Sequence, residues 1–225
     1  DKRTTAISAS NYEFFHRALD KLDKRLFWPS KKINLFYDSN GKKINFLNFN
    51  EDNNNLLYLF ENDKIKDILN KEIKKKKIKI IQKSINQSGD LDGYDLKVLC
   101  LGRNSKIYQN VIKSRSIEKD YKEMALTGYV KHNIKNISTC QFFLKEGPLA
   151  ILPFSKNNFS FVWSVKKEFI KKNISSSIKS KICEIYKVKN INITNIQTYP
   201  LTLNLKRTYY KRDVLILGEG LHTIH

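Results

Sequence analysis

The amino-acid sequence predicts an α/β fold in which an antiparallel sheet is interleaved with an α/β layer. Residues 56–85 read as strand, helix and strand, the order that is typical of a parallel crossover unit. Between residues 118 and 165, strand-like segments follow one another without an intervening helix, which favours an antiparallel sheet. With 225 residues, 40% of them hydrophobic, the chain is long enough to bury a core in one or two domains.

Apolar periodicity places the elements of the first half. Residues 4–22 carry apolar side chains at helical spacing, so we expect a helix there. Alternating runs flank Ser39-Asn40-Gly41, and an Asn-Gly pair in this setting predicts a hairpin with strands at about 32–38 and 42–49. Further on, "LLYLFEN" predicts a strand, "DKIKDILNKEIKK" a helix, and "KIKIIQKSI" and "LKVLCLG" two more strands.

The second half is predicted to be mostly sheet. Strand-like alternation recurs in "YKEMALTGYVKH", "STCQFFLKEG", "LAILPFS" and "FSFVWSV". One amphipathic helix is expected at about 166–187, and "NITNIQTYPLTL" and the run from Val214 to Leu217 predict the closing strands. We therefore assign residues 1–30, 50–117 and 205–225 to the α/β part, and residues 31–49 and 118–204 to the antiparallel sheet with its helix.

The chain is strongly basic, with 42 Lys and Arg against 22 Asp and Glu and a net charge of +20. Such a charge draws attention to nucleic acid or an anionic membrane surface as a partner. The lysines are spread along nearly the whole chain, so a solvated surface is the first interpretation, membrane contact the second and nucleic-acid binding the third. From the charge alone we therefore expect no nucleic-acid partner, and membrane contact stays open.

The cysteine, histidine and hydropathy patterns restrict the expected redox compartment, metal sites and membrane-spanning segments. Cys100, Cys140 and Cys183 are odd in number and lack metal spacing, which favours a reducing compartment. His222 and His225 lack a third ligand at suitable spacing, so we expect no metal site. No apolar stretch approaches the roughly 20 residues of a spanning helix. We expect a cytoplasmic protein, at most peripheral on the inner face of the membrane.

The run that ends at Leu217 continues into Gly218-Glu219-Gly220, which would place a carboxylate and a glycine turn at the edge of a sheet where α/β proteins hold ligands. Several segments remain to be explained beside it: "DKRTTAIS", "LCLGRNS", "GPLAILP" with "FVW", "YPL" and "LILGEGLHTIH". In this order and at these separations they resemble the FAD-dependent aromatic-ring monooxygenases of the para-hydroxybenzoate hydroxylase class. The resemblance is to the UbiH-type hydroxylases of ubiquinone biosynthesis in particular, and the set "GPLAILP", "FVW" and "YPL" is its most specific part.

This resemblance implies a partial Rossmann-like FAD-binding layer plus a β-rich substrate domain. It also implies hydroxylation of a polyprenylated phenol with NAD(P)H and O2, in a site that excludes water. Contact with the membrane that holds the polyprenylated substrate is implied as well, and other proteins of ubiquinone biosynthesis are implied as partners. By family position the cofactor-binding residues are Arg3, Gly102, Arg103, Ser105, Gly218 and Glu219. The implied substrate pocket consists of Gly147, Pro148, Leu149, Leu152, Pro153 and Trp163, for which ordinary core packing is an equal alternative.

The sequence departs from the family pattern in ways that keep other functions open. No G-x-G-x-x-G motif is present, so the resemblance implies a fragment that lacks the N-terminal dinucleotide unit and the C-terminal part. Leu101 stands where the family has Asp, Glu219 where it has Asp, and Leu221 where it has Ala. A degenerate, non-catalytic homologue that serves as a binding or scaffold subunit is therefore the alternative, and a basic anion-binding protein is a third.

Overall fold

The structure, a computed structural model, describes residues 3–19, 22–85, 88–102, 107–108, 116–170 and 173–223. Two compact units divide the chain: the first comprises Asp1–Ile78 with Met124–Tyr199, and the second Lys79–Glu123 with Pro200–His225. The helices are α1 (Ala9–Ala18), α2 (Asn62–Lys75) and α3 (Ile174–Tyr186). The strands are β1 (Thr4–Ser8), β2 (Trp28–Ser30), β3 (Lys32–Ser39), β4 (Lys42–Asn50), β5 (Leu57–Glu61), β6 (Lys97–Leu99), β7 (Ser116–Lys131), β8 (Thr139–Leu144), β9 (Gly147–Ser155), β10 (Asn158–Lys166), β11 (Asn192–Lys206), β12 (Tyr210–Lys211), β13 (Val214–Ile216) and β14 (His222–Thr223).

The chain begins with a strand where the sequence predicts a helix. β1 pairs antiparallel with β5, and β5 pairs on its other side with β2. The helix starts only at Ala9, after Ser8, whose Oγ accepts a hydrogen bond from the Asn11 amide at 3.3 Å. The prediction for residues 4–8 is wrong because their β-branched side chains suit a strand and find a partner in β5.

The first unit is built on a large sheet that confirms the predicted fold class. Its strands lie in the order β11-β7-β10-β9-β8-β3-β4. The pairs β8–β9, β9–β10 and β3–β4 are antiparallel, whereas β3 and β8 are parallel. The predicted hairpin is present between β3 and β4, and both Asn40 (φ 51°) and Gly41 (φ 79°) adopt the positive φ that a tight hairpin turn needs.

Strand alternation gives this sheet two distinct faces. Leu149, Ile151 and Trp163 belong to the core cluster that also contains Ile178 and Ile182 of α3, so this face is the helix-covered face. On the opposite face, the Thr4 hydroxyl of β1 shares a hydrogen bond with the Ser160 hydroxyl of β10. A single alternating strand, β10, thus contributes Trp163 to one side of the sheet and Ser160 to the other.

Helix α3 is shorter than the sequence predicts. Residues Lys167–Phe169 form a 3₁₀ turn, and the helix begins after Asn173, whose Oδ1 accepts from the Ser176 amide at 3.2 Å. It ends at Tyr186, before Lys187 in the left-handed conformation (φ 53°). Capping therefore sets the bounds more narrowly than the apolar periodicity.

The second unit contains a small sheet in the order β12-β13-β6. β6 and β13 are parallel, with Leu99 level with Ile216, and both residues are buried beside Tyr108. The strand predicted at "KIKIIQKSI" is absent, and Ile80 and Ile81 are exposed. The parallel crossover through residues 56–85 is therefore wrong, because β5 already has β1 and β2 on its two sides and offers no edge to a third strand.

The compact units do not follow the functional division that the sequence predicts. Residues 1–30 and 50–78, assigned to the α/β part, lie in the same unit as the large sheet. Compactness does not test which residues hold a cofactor, so that functional division remains a prediction.

Gly147 should be the least replaceable of the described glycines. Its φ is +133°, and a Cβ built on it would lie 2.0 Å from the Ser164 carbonyl oxygen. We expect Gly147→Ala to lower the free energy of unfolding of the full-length protein by about 3 kcal/mol or more, measured by urea titration. The control is Gly93→Ala, where φ is +88° but nothing lies within 4 Å, and where only about 1–2 kcal/mol of backbone strain is expected. Equal losses at the two positions would contradict the close approach at Gly147.

Candidate functional site

Two glycine motifs of the second unit meet at one edge of its sheet. β6 and β13 run in parallel, and the Leu217 amide donates to the Leu99 carbonyl oxygen at 3.0 Å just where both strands end. The chain then continues to Gly102 after β6 and to Gly218 after β13. The carboxyl ends of parallel strands are where α/β sheets hold ligands. The structure therefore brings these two predicted positions to such an edge.

Both glycines leave space beside this edge. Gly102 has φ +72° and Gly218 has φ +74°, and a Cβ built on either would meet nothing within 4 Å. Their conformation favours glycine for backbone reasons, while the room around them is free of the described protein atoms. Residues Gly218–Gly220 form a 3₁₀ turn closed by the Leu221 amide, which donates to the Gly218 carbonyl oxygen at 2.9 Å. The turn carries Glu219, which is exposed.

Leu101 supplies no acceptor at this edge. Its side chain is 44% exposed, and its backbone amide donates to the Tyr108 hydroxyl oxygen at 2.8 Å. Burial raises the pKa of Tyr108, so this hydroxyl stays neutral. The predicted cofactor residues Arg103 and Ser105 lie outside the described residues, as does His225.

These features fit the polar chain of a dinucleotide cofactor such as FAD. The two glycines leave room for a ligand to approach the backbone closely, and the Glu219 carboxylate is free to accept hydrogen bonds from hydroxyl groups. The missing element is an acceptor at Leu101. The edge is thus compatible with a flavin cofactor and lacks one contact that the family pattern would supply.

Arg3 lies in the first unit, just before β1 rather than before a helix. Its guanidinium carbon is 5.6 Å from the centroid of the Tyr199 ring, a cation–π distance, and its carbonyl oxygen accepts from the Asn62 amide at 2.9 Å. The side chain is half-buried. The structure therefore holds Arg3 by stacking, and its contact with a phosphate or ribose remains a prediction.

The predicted substrate residues divide between the two faces of the large sheet. Leu149, Pro153 and Trp163 are buried on or beside the helix-covered face, where they contribute to the core. Pro148 and Leu152 are half-buried on the opposite face. Only these last two have the orientation of a pocket wall on that face, so core packing accounts for the other three.

Gly147, the first residue of β9, lies close to the backbone of β10. Its carbonyl oxygen accepts a hydrogen bond from Trp163 Nε1 at 3.2 Å, and its backbone lies against Ser164. The glycine is therefore explained by a close backbone approach within the sheet, which is a structural role.

Two features near the large sheet escape sequence reasoning. The Tyr129 ring lies 5.1 Å from that of Phe154, and burial, together with Glu61 and Asp63, raises the pKa of Tyr129 to about 12. A cavity of about 570 Å³ opens beside α3, where Lys181 Nζ lies 3.0 Å from Glu146 Oε1.

Burial alone would raise the pKa of Glu146, but the hydrogen bond and charge of Lys181 outweigh it and lower that pKa. Tyr129 and Phe154 are 25 residues apart and Glu146 and Lys181 are 35 apart along the sequence, so no local spacing signals either contact.

Two classes of site are not found in the described part of the chain. No three His, Cys, Asp or Glu side chains there come together as metal ligands. None of the helices described is both long enough and apolar enough to cross a bilayer.

Comparisons with known proteins identify the fold. No protein-family model matches the sequence, and no curated protein matches it significantly. Solved structures do match. PqsL of Pseudomonas aeruginosa, described as a probable FAD-dependent monooxygenase, aligns with a TM-score of 0.77 over 100% of this chain and 70% of its own, at 11% identity. The p-nitrophenol 4-monooxygenase PnpA of Pseudomonas putida DLL-E4 aligns with a TM-score of 0.76 over 99% of this chain and 64% of its own, at 8% identity.

The flavin-dependent monooxygenase PieE, solved with FAD and substrate, aligns with a TM-score of 0.74 over 99% of this chain and 47% of its own, at 9% identity. This chain has the fold of flavin-dependent monooxygenases. It spans only about half to two thirds of the length of PieE and PnpA. At these identities the likeness shows the fold and leaves activity and substrate to the residues themselves.

An ion pair holds the other end of the two parallel strands. Lys97 Nζ lies 2.5 Å from Asp213 Oδ2, and the Lys97 amide donates to the Asp213 carbonyl oxygen at 2.7 Å. The hydrogen bond from Lys97 lowers the pKa of Asp213. This contact lies at the amino ends of β6 and β13, so it stabilises the strands whose carboxyl ends carry Gly102 and Gly218.

We expect Asp213→Asn to lower the melting temperature of the full-length protein at pH 7 but not at pH 2. Because the folded-state pKa of Asp213 is depressed, its contribution is present above the unfolded pKa of about 3.9 and is lost as the pH falls through the lower folded value. Thermal melts of both proteins over this range measure the difference, with the exposed Asp95→Asn as the matched control. A deficit that persists at pH 2 would assign the effect to packing instead.

Proposed function

We propose that this chain is part of an FAD-dependent monooxygenase that hydroxylates a polyprenylated phenolic ring in ubiquinone biosynthesis, using NAD(P)H and O2. The observation that carries this proposal is the meeting of Gly102, Gly218 and the Glu219 turn at the carboxyl edge of a parallel strand pair, in a chain with the fold of flavin-dependent monooxygenases. The open space beside both glycines and the exposed Glu219 carboxylate support a flavin dinucleotide at this edge.

The structural neighbours support the cofactor and the general substrate class. PieE was solved with FAD and substrate, and PnpA is a monooxygenase of a nitrophenol. The finer assignment to ubiquinone biosynthesis rests on the run "GPLAILP", "FVW" and "YPL" and on the "LILGEGLHTIH" segment. A bound FAD would supply the redox chemistry with NAD(P)H and O2.

The residues of this chain have separate tasks in this proposal. Glu219 accepts hydrogen bonds from hydroxyl groups of the cofactor, and the open backbone at Gly102 and Gly218 admits the cofactor to the edge of the sheet. The resemblance assigns Arg3, in the first unit, to a phosphate or ribose of the cofactor. The resemblance assigns Pro148 and Leu152, in the first unit, to the substrate, and their half-buried apolar side chains would help to keep water from a bound ring.

A second candidate function has one specific observation in its favour. Leu101 stands where the family pattern has an aspartate, and its exposed side chain cannot accept a hydrogen bond. Loss of a charge-assisted contact costs about 1.5–3 kcal/mol, which is roughly a tenfold to 150-fold loss of affinity. A homologue that retains the fold without the cofactor, and that serves as a binding or scaffold subunit, would tolerate this change.

The full-length protein should purify yellow, with FAD bound, and should oxidise NAD(P)H faster when a prenylated phenol is added. Absorbance near the flavin bands and NAD(P)H consumption with and without the phenol measure the two properties. Anaerobic assays and assays without the phenol are the controls. A colourless protein that ignores added FAD would contradict the monooxygenase and favour the scaffold subunit.

Substitutions at the glycine edge should change FAD affinity in opposite directions. We expect Glu219→Ala to weaken FAD binding about tenfold or more, because an acceptor for cofactor hydroxyls is lost, and Leu101→Asp to tighten it by restoring one. Fluorescence titration of the apoprotein measures both, and Glu168→Ala, an acid 72% exposed in the other unit, is the control. Absence of flavin binding in the parent and in Leu101→Asp would support the non-catalytic homologue.

A further inference from the structure

The hairpin at the edge of the large sheet exposes a continuous apolar surface. Strand pairing places Ile33 opposite Phe49, Leu35 opposite Leu47, and Tyr37 opposite Ile44 on one face of β3 and β4, and Phe143 of β8 lies beside Tyr37. We call this surface the apolar hairpin face. Its exposed members, each between 39% and 49% exposed, are Tyr37, Ile44, Phe46, Leu47, Phe49 and Phe143.

A β-bulge adds Phe46 to this face. The register between β3 and β4 shifts at Leu35 and Phe36, so Asn45 and Leu47 are paired and Phe46 is the extra residue. Its ring lies 5.9 Å from that of Tyr37 and 5.8 Å from that of Phe143. The bulge therefore adds Phe46 to the aromatic rings of Tyr37, Phe49 and Phe143 on the exposed side of the edge.

On the other side of the sheet, β3 and β8 contribute to the core, whereas β4 carries the polar Lys43, Asn45, Asn48 and Asn50. Phe36 of β3 stacks on Phe142 of β8 with ring centroids 4.9 Å apart, and Phe142 belongs to the core cluster that contains α3. The exposed residues are thus not core residues that lack a cover on the helix side. Contiguous apolar patches of this kind on a protein surface mark an interaction site.

The charges at the turn end of the apolar hairpin face are cationic, whereas at its other end the exposed Glu51 follows Phe49 by two positions. Lys42 pairs with Ser39 on this face and is the one charged residue that β3, β4 and β8 place there. Lys145, also exposed, follows Phe143 by two positions. The acidic residue of the hairpin, Asp38, lies on the opposite face, where it is 2.9 Å from Lys43 Nζ.

We propose that the apolar hairpin face docks onto an anionic membrane surface. Aromatic and aliphatic side chains of this size enter the headgroup region of a bilayer, and lysines beside them are attracted to anionic lipids. A second copy of the chain is the less favoured occupant, because each copy carries a net charge of +20 and would bring Lys42 toward another cationic surface. Charge complementarity at the turn end, where Lys42 and Lys145 lie, therefore favours the lipid surface.

Sedimentation of the full-length protein with vesicles tests this surface. We expect binding to vesicles of phosphatidylcholine with about 30% phosphatidylglycerol, because anionic lipids attract the lysines beside the apolar residues. We expect little binding to vesicles of pure phosphatidylcholine. Phe46→Ser and, separately, Lys42→Glu should each weaken binding to the anionic vesicles by about tenfold. Lys42 is exposed at the turn of the hairpin, so Lys42→Glu should leave the core packing unchanged. It therefore tests the proposal even if Phe46→Ser lowers the stability of the protein.

Matched controls separate this face from general charge and hydrophobicity. Phe14→Ser, at a phenylalanine 62% exposed on α1, and Lys71→Glu, at an exposed position of α2, make the same chemical changes elsewhere and should leave binding unchanged. Circular dichroism and thermal melts verify that each variant is folded. Equal losses for test and control variants would overturn the proposal, as would a dimer in sedimentation velocity that Phe46→Ser dissociates while vesicle binding is absent.

Discussion

The close approach of the Gly147 backbone to Ser164 sets the geometry on which the large sheet depends. A Cβ at Gly147 would lie 2.0 Å from the Ser164 carbonyl oxygen, and Trp163 Nε1 donates to the Gly147 carbonyl oxygen beside it. These contacts fix how β9 meets β10 at the start of the strand. Because side chains alternate along β9, fixing its first residue decides which residues face α3 and which face the other way.

That alternation explains why a single motif serves two purposes. In "GPLAILP", Leu149 and Ile151 are fully buried beneath α3, while Pro148 and Leu152 are half-buried on the opposite face. A motif that looks like a pocket in the sequence is therefore half core. The resemblance assigns the whole motif to one pocket. Alternation along β9 instead divides its residues between the core and the face that is available to line a site.

Local patterns predicted the elements whose causes are local. The Asn40-Gly41 turn needs two positive φ values, which the pair adopts readily, and α2 has both apolar periodicity and cations in its last turn. The predictions that were wrong concern which strands pair with each other. Residues 4–8 became a strand because β5, more than 50 residues away, pairs with them, and "KIKIIQKSI" did not because β5 has no remaining edge.

In the candidate site, too, the local motifs could be predicted from the sequence but the pairing of their strands could not. Gly218-Glu219-Gly220 could be recognised as a strand-to-turn corner because a buried run precedes it, and "LCLG" could be recognised in the same way. That the two corners share an edge follows from the parallel register of Leu99 with Ile216, which no spacing in the sequence shows. The resemblance assigned both corners to the same cofactor but did not predict which strands pair. Leu101, which offers no acceptor, is the residue that departs from the family pattern at this edge.

Side-chain alternation also explains why the edge strand β4 exposes apolar residues on the apolar hairpin face. Among the described strands β4 has a neighbour on one side only. Its alternation places the polar Lys43, Asn45, Asn48 and Asn50 on the side that α3 covers elsewhere, and a second set of side chains on the opposite side. On an ordinary edge the second set would be polar, but here it is apolar along the strand and reinforced by a bulge that adds Phe46. An edge that exposes such residues beside Lys42 loses solubility and favours aggregation unless a surface covers it. The cost is understandable if that surface is anionic, because the charge that would repel a second copy then attracts the partner.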